Sequence, residues 1–158
     1  MTDSSLFLFI IWEKSRYKTE EILNDLKKKY VIRSVYNIKW SQENFLKNLQ
    51  RFYGKSLPDA QKKANVCGTG AFLAVVISDP NPKFNVIKHD FKEDYVNSNV
   101  NQSKKKYRKW IGEDYTVHCS ISINETNHNL TLLFGKNTSD FVKDLPLKWN
   151  GNIINFES

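Results

Sequence analysis

Val117-His118-Cys119-Ser120-Ile121-Ser122-Ile123-Asn124-Glu125 sets an imidazole near the end of a short apolar strand and then opens a helix. Ser122 and Glu125 form a capping box, in which the serine hydroxyl takes a backbone N–H of the first turn and the glutamate reaches back. A strand is therefore expected over 115–120. A helix should follow from Ile123 through Leu130 and Leu133 to Gly135, a natural C′ glycine. A helix N-terminus offers free N–H groups and partial positive charge to a phosphate. An imidazole with an ordinary pKa near 6.5 serves as base or nucleophile at neutral pH. The plain alternative is a hydrogen-bonded structural histidine.

Working outward, Leu6 to Trp12 reads as an interior strand, and Ser15 to Tyr30 as a helix with Ile22, Leu23, Leu26 and Tyr30 at helical spacing. Val31 to Trp40 is rich in β-branched and aromatic residues and reads as a second strand. Ser41 is the expected N-cap of a helix that turns Phe45, Leu46, Leu49 and Phe52 inward and stops at Gly54. Lys55 to Thr69 reads as a polar loop, and Ala71 to Ser78 as a buried strand. Asp79-Pro80-Asn81-Pro82 must leave the sheet. Residues 83–101 fit either a short hairpin or an irregular excursion. Gln102 to Ile111, Ser139 to Leu145 and Ile153 to Phe156 read as a helix, a short helix and a terminal strand. This order predicts an α+β, ferredoxin-like split βαβ fold with helices on one face of an antiparallel sheet, as a single domain over 1–158.

A chain of 158 residues with 40% hydrophobic and 13% aromatic content can bury its own core. The apolar run at Leu6 is far too short to span a bilayer and lacks the marks of a signal peptide, and Cys67 and Cys119 make no CxxC pair. Both features point to the cytoplasm. The net charge of +7 attracts phosphates, nucleotides, nucleic acid or an anionic membrane, with basic clusters at 27–29 and 104–109. Phosphate-loop, dinucleotide-fold, zinc-protease and nucleophile-elbow motifs are absent. Gly68-Thr69-Gly70 reads as a turn or an anion nest, and His128 as a surface residue. His89, Asp90, Glu93 and Asp94 lack ligand spacing, so no metal site is assigned.

His118-x-Ser120-x-Ser122 before a helix, together with the order of the preceding elements, resembles the nucleoside diphosphate kinases. In that family the histidine carries a phosphoryl group between two nucleotides. The likeness implies a divergent relative with His118 as phosphoryl acceptor or acid/base. It also implies Ser120 and Ser122 as hydrogen-bond donors at the helix start, and Mg²⁺ arriving with the nucleotide and bridging its phosphates. The family's glycine after the histidine is Cys119 here, its aspartate is Ile121, and the glutamate that orients the imidazole is Asn129. Its first-strand Lys-Pro-Asp becomes Trp12-Glu13-Lys14, which leaves Lys14 as the displaced lysine. The basic run offers Lys105 and Arg108 as further phosphate contacts, and Tyr53 or Trp110 can stack on a base. The implied partner is a nucleotide or phosphorylated small molecule, and self-association is compatible with the likeness. The rival expectation is a basic module that binds nucleic acid or another anionic partner through 104–109, although no RNP-type aromatic signature is present.

Overall fold

The computed structural model of the chain describes residues 5–54, 57–89 and 92–157. Seven strands are described: β1 Leu6–Ile11, β2 Val31–Lys39, β3 Phe72–Ser78, β4 Phe84–His89, β5 Lys92–Asn97, β6 Val117–Cys119 and β7 Ile153–Glu157. The helices are α1 Thr19–Lys29, α2 Phe45–Tyr53, α3 Ala60–Cys67, α4 Ser98–Ile111, α5 Ile123–Phe134 and α6 Thr138–Lys143, with a 3-10 segment over Glu13–Lys18. The main sheet has the order β6-β1-β3-β2-β7, and β4 pairs with β5 as a separate ribbon. Because β3 runs antiparallel to both β1 and β2, those two strands are parallel and flank it. Because β6 runs antiparallel to β1, it is parallel to β3 across β1. Two interlocked split βαβ units result, with β7 added in parallel beside β2.

The expected single helical layer is one of two. Every residue of β1 is buried, so both of its sides must be covered. Phe7, Phe9 and Ile11 face Ile22 and Leu26 of α1 and Val100 and Tyr107 of α4. Leu6, Leu8, Ile10 and Trp12 face α2, α3, α5 and α6 through Phe45, Ala64, Leu130 and Phe141.

Other differences are local. The 60–67 part of the expected polar loop is α3, capped by Asp59 Oδ1, which accepts from Lys62 N at 3.1 Å. Its narrow apolar stripe of Ala64 and Cys67 explains why periodicity did not declare it. Residues 55–56 of that loop lie outside the described residues. Ser41 accepts from Asn44 N in a turn ahead of α2 and does not cap the helix itself, and Leu46 lies exposed on the outer side of α2. The 15–30 helix divides into the 3-10 segment and α1. The 83–101 stretch is the β4–β5 ribbon running straight into α4, so that helix begins earlier than its apolar spacing indicates. Buried Asp79 Oδ2 fastens this junction by accepting from Asn97 Nδ2 at 2.8 Å and Asn99 Nδ2 at 3.1 Å. Residues 90–91 of this stretch lie outside the described residues. Among the described residues no helix is long and apolar enough to cross a membrane.

Candidate functional site

Alternation along β6 sends Val117 and Cys119 into the α1/α4 core and His118 to the opposite side, where it pairs in register with Ile10. His118 is 4% exposed. Its ring meets Phe52 edge-on at 4.9 Å between centroids and Tyr53 at 5.1 Å and 90°. The imidazole Nε2 lies 2.8 Å from Asn129 Oδ1. The capping box forms much as the sequence indicates: Glu125 N donates to Ser122 Oγ at 3.0 Å, and Glu125 Oε1 accepts from Ile121 N at 2.9 Å. It fixes the start of α5, and one turn further on Asn129 meets the imidazole.

The neighbouring residue on α5 secures the aromatic wall. His128 has an exposed ring, as expected, yet its Nε2 lies 2.9 Å from the Arg51 carbonyl and 3.1 Å from that of Phe52. Both carbonyls belong to the end of α2, where acceptors lack helical partners. One helix thus orients the imidazole with Asn129 and anchors, through His128, the segment that carries Phe52 and Tyr53.

Burial drives the His118 pKa down to about 3, against the opposing pull of the Asn129 hydrogen bond, and the cations Lys63, Lys104 and Arg108 push it the same way. The ring is therefore neutral at physiological pH. With Asn129 Oδ1 as acceptor, the proton sits on Nε2. The Nδ1 lone pair then has no hydrogen-bond partner among the described residues. Glu125 Oε2 stands 3.9 Å from Nε2, and burial raises the pKa of that carboxyl, which weakens it as a counter-ion.

Beyond Tyr53 lies a cavity of about 530 Å³, lined among others by Tyr53, Lys63, Arg108 and Tyr115. Arg108 Nε donates to the Val117 carbonyl at 2.8 Å, so α4 holds this guanidinium against the histidine strand. Tyr53 lines the cavity and also packs on the imidazole, which places His118 one ring behind the cavity wall.

The structure thus gathers His118, Tyr53 and Arg108 in one place and puts the other sequence candidates to local use. Ser120 Oγ accepts from Leu8 N at 2.9 Å and bonds Thr126 Oγ1 at 2.8 Å, tying β6 to β1 and α5. Ser122 Oγ is the helix cap. Lys14 Nζ donates to the Asn65 carbonyl at 2.6 Å, away from the cavity lining, and Lys105 is exposed. Trp110, at 40% exposure, packs on Tyr107 at 5.2 Å between centroids. At the Gly68-Thr69-Gly70 turn the chain's own carboxylate takes the place of an external anion: Gly70 N donates to Glu13 Oε1 at 3.0 Å. A Cβ at either glycine would run into that carboxylate.

The 104–109 run does not form one basic face. Lys106 pairs with Asp25 at 2.7 Å, Arg108 bonds the Val117 carbonyl, and Lys104 is half-buried. Among the described residues no three metal-ligating side chains converge. Asp90 and the His89 side chain lie outside the described residues. Sequence reading missed Lys63 and Tyr115, because neither belongs to a motif and both reach the site only through tertiary packing.

No family model matches the chain, and no curated protein matches it in sequence. Its fold is similar to that of the nucleoside diphosphate kinase of Aquifex aeolicus in an orthorhombic crystal form, with a TM-score of 0.53 and 12% sequence identity. The match covers 82% of this chain and 94% of that one. The architecture is thus a nucleoside diphosphate kinase-like α+β fold, a five-stranded sheet with helices packed on it.

Proposed function

We propose that residues 1–158 form one divergent phosphotransferase domain that acts on a nucleotide or another phosphorylated small molecule, with His118 as phosphoryl acceptor. The observation that carries this reading is the state of the imidazole. Its Nε2 is held by Asn129, its Nδ1 has no hydrogen-bond partner among the described residues, and burial together with the charges of Lys63, Lys104 and Arg108 keeps it neutral. Such a ring serves as a nucleophile once the cavity wall opens to it, because its lone pair is unprotonated and oriented by the bond at the other nitrogen. It is a poor general acid, because it holds no imidazolium proton to give. The basic surroundings suit the charge of a transferring phosphoryl group.

In the proposed step Nδ1 attacks the terminal phosphorus, an N–P bond forms, and the bond from phosphorus to the bridging oxygen of the leaving group breaks. With a nucleotide substrate, Mg²⁺ carried by its phosphates would neutralise part of their charge. Tyr53, which stands between imidazole and cavity, must swing aside for the phosphorus to reach Nδ1. Such a reaction belongs in a compartment supplied with nucleoside triphosphates, in keeping with the cytoplasmic expectation. The divided basic run gives the nucleic-acid reading no continuous surface.

The test is intact-mass measurement under non-acidic conditions after incubation with Mg²⁺ and a panel of nucleoside triphosphates. Wild type is expected to gain one acid-labile phosphoryl group, and His118→Ala to gain none. An unmodified wild type, or equal gain in the variant, would remove His118 as acceptor.

A further inference from the structure

Lys63 is only 6% exposed, yet no carboxylate pairs with it among the described residues. Its ammonium donates to the Tyr115 carbonyl at 2.7 Å and lies 4.7 Å from the centroid of the Tyr53 ring and 5.0 Å from that of Tyr115. A carbonyl and two ring faces solvate an ammonium without neutralising it. Burial accordingly pushes the Lys63 pKa down to about 8, and the nearby Arg108 and Lys104 add to the effect against the opposing Cys67. An unpaired buried cation is costly unless something compensates it.

The cavity supplies the setting for a compensating anion. Lys63 and Arg108 both line it. The Arg108 Nε bond to the Val117 carbonyl fixes the guanidinium plane, and no partner is recorded for its terminal nitrogens among the described residues. That fork can take phosphate oxygens in pairs, while lysine acts beside it as a point charge. Exposed Lys62 adds a third cation. Of the two acids on the lining, Asp59 is engaged as the α3 cap and Glu113 is exposed. At about 530 Å³ the space falls within the range that holds a nucleotide-sized ligand. Lys14, the residue that sequence comparison offers for the phosphate, is spent on the Asn65 carbonyl.

Building on the function proposed above, we infer that Lys63 on α3, together with Arg108 on α4, receives the terminal phosphate of the ligand, and that no first-strand lysine does so. Tyr53 and Tyr115 then act as a cradle that keeps the ammonium desolvated and pointed into the cavity until the phosphate arrives.

The experiment measures ADP and pyrophosphate binding by calorimetry for wild type, Lys63→Met and Lys63→Arg, with thermal melts to establish that each variant is folded. Lys63→Met is expected to weaken both probes at least tenfold, and Lys63→Arg to recover most of the loss. A folded Lys63→Met that binds like wild type overturns the inference and leaves the wider proposal standing. A wild type that binds neither probe removes both. Trace acetylation of wild type, read by peptide mass spectrometry, gives a measure independent of variant folding. Saturating ADP should protect Lys63, and unchanged labelling in its presence overturns the assignment.

Discussion

Replacing Trp12 by alanine is expected to cost about 3–5 kcal/mol of stability and to lower the melting temperature by on the order of 10 °C. Trp12 is fully buried where β1 ends. Phe72 lies 4.7 Å away between centroids, Trp40 6.0 Å, Phe52 6.1 Å, and Phe45 and Tyr53 each 6.4 Å. Its indole N–H also donates to the Tyr53 hydroxyl at 3.2 Å. Truncation therefore opens a cavity among Trp40, just past β2, and rings from α2 and β3 that cannot all close on it, and it releases Tyr53 from one of its restraints. Trp12→Phe should lose less, since most of the ring contact survives. Urea or thermal unfolding checks both variants, and a loss below about 1 kcal/mol for the alanine variant would mean that this aromatic cluster repacks freely.

Acid should destabilise wild type more than a His118→Gln variant. In the unfolded chain the imidazole takes up a proton near pH 6.5, whereas in the folded chain burial holds its pKa down to about 3. Between those values the unfolded state binds more protons, so stability rises with pH across the window. The contribution is complete above about pH 6.5 and is lost progressively as the pH falls toward 3. Each unit is worth about 1.4 kcal/mol, so on going from pH 7.5 to pH 5 wild type should lose about 2 kcal/mol more than the glutamine variant. The raised Glu125 works in the opposite direction in both proteins and drops out of the difference. Parallel denaturant titrations at the two pH values check this, and equal losses would mean that His118 charges normally in the folded chain.

The strands were legible where apolar runs were short and uninterrupted. Leu6–Ile11 and Phe72–Ser78 stand almost where their residues indicate, and the Ser122/Glu125 box fixes the start of α5. The second helical layer was less visible, because a strand apolar on both sides reveals its burial without naming its cover. The helix α3 escaped notice because its inward face is only Lys63, Ala64 and Cys67, and a buried lysine reads as polar until its surroundings are known. Around His118 the sequence supplied the imidazole, Tyr53 and Arg108. It could not separate hydroxyls that face a ligand from Ser120 and Ser122, which serve the backbone of β1 and α5. Asn129 first appeared as a departure from a resembled pattern. In the fold it stands beside the imidazole and fills the orienting role with an amide, whose oxygen holds the Nε2 proton without adding the negative charge that would raise the histidine pKa.

Neutrality and tautomer of His118 lie at the centre of this account, and long-range ¹H–¹⁵N correlation spectroscopy of the ¹⁵N-labelled imidazoles reads both. One of the rings is expected to remain the neutral Nε2–H tautomer from pH 8 to pH 5 with no titration step, and this signal is expected to disappear in His118→Gln. A His118 signal that titrates with a midpoint near 6.5, or that carries its proton on Nδ1, would contradict this expectation.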